Sequence, residues 1–320
     1  MKKLPFVIAI LIGLISCSPD SPEISQPEPQ NFDFEVLFEN NKEAGINIFY
    51  LGDAYLESDL DRQNGVYRQQ AIQNINAFFS THPFSAFTDD FNAYIVYVPS
   101  ESDVILSEGE ISPTAFGAHF SEGGSLLVIE FESRINLIVK EITGRFKTDN
   151  DLVLMSVNNA SGGSARLNGG LAVFGQGNTA VMMHEVGHAF AGLADEYTNP
   201  IRPPLNVAGI ENLDNINNLE RIKWNRFIGL DGYEDVGAFE GGGYTATGIW
   251  RPEENSLMKS LGELYFNAPS RDVIVRRICE KMNKSCSFED FLELDQTRSD
   301  RLPIKVSETT SLQHFNCVRN

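Results

Sequence analysis

The stretch 181–197, VMMHEVGHAFAGLADEY, places two histidines four residues apart, with a glutamate directly after the first. On an α-helix, residues at this spacing share a face, their Cβ atoms about 5–6 Å apart. His184 and His188 can therefore offer neutral imidazole nitrogens to a single Zn2+ ion. Glu185 lies beside the first ligand and is suited to take a proton from a water that such an ion acidifies, and later to give it to a leaving amine. This is the chemistry of peptide-bond hydrolysis. Two histidines in a helix can equally be satisfied core residues, so the surrounding sequence has to discriminate.

A catalytic zinc site takes a third protein ligand. Were the helix straight, Asp195 would return to the His184 face roughly 16 Å along the axis, at about 1.5 Å per residue, and could not reach the ion. Gly192 changes this, because glycine readily takes the left-handed conformation that ends helices and reverses the chain. Asp195 is then the expected third ligand, with its neighbour Glu196 and the later Glu220 as rivals. As a plain helix C-terminus the pair of acids would be badly placed, against the negative end of the dipole. Of the six methionines, only Met258, in RPEENSLMKS, lies in irregular chain after the motif. It is the candidate for a turn beneath the metal, or else a core filler. Immediately upstream, GGLAVFG reads as a short strand at a sheet edge, where an extended peptide substrate could add as a further strand.

The elements that must position these residues follow from hydropathy patterning. NFDFEVLFEN alternates, with Phe32, Phe34, Val36 and Phe38 on one face, as an edge strand would. INIFYLGDAY, FNAYIVYVPS and DLVLMSVN read as buried strands, and SLLVIEF is apolar without a clear period. GVYRQQAIQNINAFFS and RINLIVKEITGRF carry helical spacing. Asn178 or Thr179 can cap the helix that holds the histidines. This alternation predicts an α/β fold (an α+β zincin), a twisted mixed sheet packed by helices, over 32–192. From 193 to 320 turn formers dominate. Only LERIKWNRFI and SRDVIVRRICEKM look helical there, which predicts an irregular, loop-rich lower subdomain with a C-terminal helix. The whole of 32–320 is expected to be one catalytic domain.

The 320 residues carry 44 acids against 25 bases, a formal charge of −19. So acidic a chain argues against nucleic acid and anionic lipid surfaces as partners. MKKLPFVIAILIGLISC has two lysines, an apolar run too short to span a bilayer comfortably, and small residues before Cys17. LISC is similar to the bacterial lipobox, which makes Cys17 the expected lipidation site of an exported lipoprotein and its only link to a membrane. The proline- and serine-rich stretch 18–31 reads as a tether. Ser18 after the cysteine resembles outer-membrane sorting patterns. Cys279, Cys286 and Cys317 remain, with one bridge expected among the three. Acidic loops such as DGYED leave a structural Ca2+ open, without a ligand pattern to support it.

HEVGHAFAGLADEY, GGLAVFG, RPEENSLM and FYLGDAY together resemble metallopeptidase family 64, the IgA-peptidase family, over roughly 45–280. The resemblance implies a metzincin-like zinc endopeptidase in which His184 and His188 bind one catalytic zinc ion and Glu185 is the general base. Metzincins usually place a third histidine where this chain has Ala194; Asp195 follows it, and the departure leaves the third ligand open between Asp195, Glu196 and Glu220. Related sites often use a tyrosine to stabilise the oxyanion. Tyr197, Tyr244 and Tyr265 are candidates, with Tyr265, just past Met258, as the choice. The leading expectation is a secreted, lipid-anchored endopeptidase acting on protein substrates. The alternative is a non-cleaving surface binding lipoprotein on a zincin scaffold, against which the retained Glu185 argues.

Overall fold

The computed structural model describes residues 32–295 with the exception of 125. In chain order the first part comprises β1 (Asp33–Glu39), β2 (Ile46–Asp53), α1 (Val66–Ser80), β3 (Phe91–Tyr97), β4 (His119–Phe120), β5 (Leu127–Val128), α2 (Glu132–Thr143), β6 (Asp151–Val157), β7 (Gly163–Ala165), β8 (Leu171–Gly175) and α3 (Thr179–Ala191). Every residue of β2, β3 and β6 is buried, as parallel strands covered on both faces by helices must be. The six-stranded sheet runs β1-β3-β2-β6-β8-β7. Its four central strands are parallel, and both edge strands, β1 and β7, are antiparallel to their neighbours.

The period of two along each strand divides the core into two layers. Ile48, Tyr50, Leu152 and Leu154 face α1 and α3, joining Phe78, Val186 and Phe190. Phe49, Leu51, Val153 and Met155 face α2, joining Ile135, Ile138 and Val139. The fold is therefore mixed α/β, with the histidine-bearing helix on one face of a mixed sheet.

Two strand expectations are corrected. The alternation expected through Phe38 breaks at a bulge between Val36 and Phe38, so that Leu37 and Phe38 are both buried while Phe34 and Val36 stay partly exposed. GGLAVFG forms β8, but β8 is not the edge. The glycine-rich segment before it turns back as β7 and covers it.

After α3 come the hairpin β9 (Phe239–Gly242) and β10 (Thr245–Arg251), then α4 (Ala268–Lys281) and α5 (Phe288–Asp295). The expected helix in LERIKWNRFI is absent apart from a short 3-10 turn at Asn225–Phe227. Tertiary contacts override its helical pattern. The Lys223 ammonium donates to the carbonyls of Val207, Ile210 and Leu213, each at 2.7 Å, and Trp224 is buried with its indole N–H on Gly237 O. Cys279 pairs with Cys286, tying the end of α4 to the approach of α5. Cys17, the tether and Cys317 lie outside the described residues.

α4 and α5 are joined by a buried ion pair. Arg271 donates to both oxygens of Asp295 at 2.7 Å, and His82 and Tyr233 also contact this carboxylate. Burial opposes the charge on Asp295, yet these partners hold its pKa down at about 2, below the ordinary 3.8. A depressed acid contributes stability above its unfolded pKa and loses it as pH falls toward the folded one. Asp295 should therefore contribute about 2 kcal/mol at neutral pH, lost as pH falls from 3.8 toward about 2. Asp295→Asn should lower stability at neutral pH by about 3 kcal/mol, since Arg271 is left buried without its counter-charge. Urea melts across pH would check both. Unchanged acid sensitivity in the variant would remove Asp295 from this account.

Candidate metal centre

Helix α3 begins where the Asn178 side chain accepts from Val181 N at 3.1 Å. It ends at Gly192, which is left-handed at φ 66°. Gly192 N donates to His188 O and Leu193 N to Gly187 O, each at 3.1 Å, the paired bonds that close a helix on a left-handed glycine. The reversal brings Asp195 back over the helix. Its Oδ1 lies 3.0 Å from His184 Nε2 and 3.2 Å from His188 Nε2, and the two Nε2 atoms are 3.1 Å apart. All three residues are buried, and among the described residues they form the one cluster of three or more potential ligands. Glu196 is not in it, and Glu220 is exposed on a turn. The acidic loop 231–235 forms no such cluster either.

The donor chemistry of this triad fits a cation. His184 Nδ1 lies 3.0 Å from Leu257 O and His188 Nδ1 lies 2.5 Å from Leu193 O. A carbonyl only accepts, so each Nδ1 carries its ring's proton and each Nε2 presents a lone pair. Two lone pairs and a carboxylate oxygen then converge with no proton of their own. A tetrahedral ion bonded at about 2.0–2.1 Å keeps its ligand atoms roughly 3.3 Å apart, close to the spacing found here. Burial opposes the charge of Asp195, and positive charge at the two facing imidazoles, whether a proton or a shared cation, outweighs it and holds the acid well below the usual carboxylate range.

Met258 sits fully buried in a tight turn under α3. A Cβ on Gly187, the residue before His188, would lie 2.6 Å from Met258 Sδ, so the helix and the turn touch where only glycine fits. The same turn supplies Leu257 O to His184 and Met258 O to Glu196 N at 2.9 Å.

Glu196 points away from the triad into a cage of donors. Its carboxylate accepts from Ser256 Oγ at 2.5 Å, Asn212 Nδ2 at 2.9 Å and Asn267 Nδ2 at 2.8 Å. Asn212 also exchanges two bonds of 2.9 Å with the backbone of Ala194. Full burial pushes Glu196 up to about 7 against these donors. Its role is to fasten the ligand-bearing segment to the methionine turn and to the start of α4.

Glu185 is buried beneath the edge strand. A Cβ on Gly163 would lie 2.8 Å from Glu185 Oε1 and 2.7 Å from Val181 Cγ1, so β7 approaches the carboxylate as closely as a bare backbone can. Burial, then the charge of Asp195, raise Glu185 to about 7, opposed by His184 and Arg202.

Of the three tyrosines, Tyr244 and Tyr197 reach the centre. Tyr244 Oη donates to Asp195 Oδ2 at 2.6 Å, and the Tyr197 ring lies over His184 at 6.4 Å. Tyr265 donates instead to Asn255 O at 3.0 Å. Tyr244 has φ 71°, an unusual conformation for an aromatic residue, reached through Gly241, Gly242 and Gly243. Backbone bonds from Gly243 N to Asp195 O and Tyr244 N to Tyr197 O hold it there. EGGGY was the available signal, since a glycine run ending in an aromatic marks a forced backbone.

The IgA Peptidase M64 family model matches residues 36–231 and 220–278. The chain belongs to that family. It is therefore a metallopeptidase, a hydrolase acting on protein substrates, and the buried His-His-Asp group is where a metal could bind. No curated protein matches the chain.

The two adjacent acids should separate on substitution. Asp195→Asn should fold with the wild-type melting profile while bound metal falls severalfold or more. Glu196→Gln should lose about 1–3 kcal/mol, because its amide N–H meets donors rather than acceptors. Metal content by elemental analysis, read beside thermal melts, checks the pair. Equal metal loss in both variants would contradict the division of labour.

Proposed function

We propose that the protein is a zinc-dependent endopeptidase whose general base is Glu185. The observation that carries this reading is the convergence of three electron-rich atoms to 3.0–3.2 Å, with both Nδ1 protons committed to main-chain carbonyls. His184, His188 and Asp195 would hold the ion. A Zn2+ there supplies Lewis acidity, which polarises a carbonyl and acidifies water. Glu185, displaced from the ligand set and raised toward neutrality by burial, is suited to accept the proton of the attacking water and return it to the leaving amine. Tyr244 holds the second oxygen of Asp195, leaving the first to face the histidines.

The substrate is proposed to bind as an extended strand along the free side of β7. Support comes from the position of β7 at the sheet edge and from its close approach to Glu185 at Gly163. Side chains of an added strand alternate between faces. On the face away from α3, a cavity of ≈ 240 Å³ lined by Val128, Ile129, Ala165, Leu171 and Val173 suits an apolar side chain.

Glu185→Gln should lower kcat/KM on an unstructured protein by about 10²–10⁴-fold, the range for loss of a positioned base. Removing zinc with a chelator should abolish cleavage and adding zinc should restore it. If Glu185→Gln cuts as fast as wild type, the assignment of the base is wrong.

We also propose that the protein is exported and lipid-anchored through Cys17, on the strength of the apolar leader and LISC. Cells fed labelled palmitate should incorporate it into the wild type and not into Cys17→Ser. Equal labelling of both would rule out this anchor.

A further inference from the structure

The wall of the metal centre contains a cation, Arg202, that has no ion pair among the described residues. Arg202 donates through Nη1 to Tyr244 Oη at 3.0 Å, and its guanidinium lies over the Tyr244 ring, 5.1 Å from the centroid. Tyr244 in turn donates to Asp195, so two hydrogen bonds separate Arg202 from the candidate ligand set. Its charge acts on Asp195 and on Glu185 alike. Among the described residues Arg202 has no ion pair, and its one side-chain hydrogen bond goes to Tyr244.

That solitude is informative in this chain. With 44 acids against 25 bases, carboxylates are abundant. Most other described arginines find them, as Arg68 takes Glu35, Arg145 takes Asp151 and Arg271 takes Asp295, while Arg134 and Arg251 spend donors on main-chain carbonyls. Arg202 is half-buried, anchored on an aromatic face, and leaves most of its five donors unspent. The planar fork of a guanidinium matches a carboxylate with two parallel hydrogen bonds. The ring beneath it fixes its orientation in advance, which reduces the ordering cost of binding.

We propose that Arg202 is a specificity-determining residue that receives a carboxylate of the substrate beside the scissile bond. The carboxylate belongs either to an acidic side chain or to the end of the peptide. This rests on the peptidase reading of the same site. It adds a recognition element on the side of the centre built from the chain after α3, where Tyr197, Tyr244 and Arg202 stand together.

The test uses the full chain with zinc and a set of quenched fluorescent peptides of one parent sequence. In one arm a single glutamine is changed to glutamate, position by position. In the other the C-terminus is either free or amidated. One glutamate position, or the free end, should raise kcat/KM by about ten- to hundredfold, chiefly through KM and less so at high salt. The first outcome assigns the side-chain carboxylate, the second the chain end. Arg202→Ala and Arg202→Gln should bring that ratio close to one, and Arg202→Lys should keep part of it. Zinc content of each variant separates lost recognition from a metal lost through a displaced Tyr244.

A wild type indifferent to every carboxylate, or a preference that survives in Arg202→Gln, overturns the proposal. The same peptides are titrated against Glu185→Gln by fluorescence anisotropy. Carboxylate-selective binding with no cleavage by the wild type would sink the peptidase reading and leave the role of Arg202 standing. Cleavage without selectivity would do the reverse.

Discussion

His184 Nε2, His188 Nε2 and Asp195 Oδ1 stand within 3.2 Å of one another, and none brings a proton to the space between them. Atoms of this kind repel when left to themselves. The arrangement therefore has to be imposed by the rest of the chain and repaid by a cation. The imposing is done in three places. Helix α3 fixes the two rings at one spacing, Leu257 O and Leu193 O fix their rotation, and the left-handed turn at Gly192 fixes the carboxylate. Each constraint comes from a different piece of backbone, so no single side chain carries the site.

Asp195 and Glu196 show how neighbours in sequence are given opposite work by their surroundings. Both are buried acids on the same turn. Asp195 accepts from a tyrosine hydroxyl and faces two imidazoles, and positive charge shared among these groups favours its ionised form. Glu196 meets only amide and hydroxyl donors under complete burial, and rises toward neutrality. The first is suited to a metal because the groups around it hold its pKa well below the usual carboxylate range. The second is suited to a joint, because three segments distant in sequence, at Asn212, Ser256 and Asn267, must close around it. The irregular chain after α3 thus gains its order from a polar cluster as much as from its apolar ones.

What could be read from sequence follows the range of the interactions involved. The spacing of His184 and His188 is local, and so is the consequence of Gly192, which is why Asp195 could be expected where it lies. Met258 was reachable by elimination because methionine is rare in this chain. The central strands were legible because each is buried on both faces and reads as an unbroken apolar run. The edge was not. β7 is a glycine, a serine and an alanine, without hydrophobic period, and becomes a strand only because β8 offers it a partner. The turn around Lys223 failed for the same reason, since its three carbonyl partners are contributed by a loop that has no pattern of its own. Nearness to Met258 in the chain points to Tyr265 rather than Tyr244. Tyr244 reaches Asp195 instead, through backbone bonds between two loops about fifty residues apart in sequence.

The positive φ of Tyr244 ties these observations together. A bulky residue held at φ 71° costs of order 1–3 kcal/mol and persists only where its surroundings over-determine it. Here they do so through bonds to Asp195, Tyr197 and Asn199, the segment that follows directly from the end of α3. The strained loop and the ligand-bearing turn are in effect one unit, joined strand-fashion at Thr198 and Tyr244. Relaxing the tyrosine would release the second oxygen of Asp195 and remove the support under Arg202. The strain is thus placed where relief of it would disorder the ligand and Arg202 at the same time, while the buried cage around Glu196 fastens the same segment to the methionine turn and the start of α4.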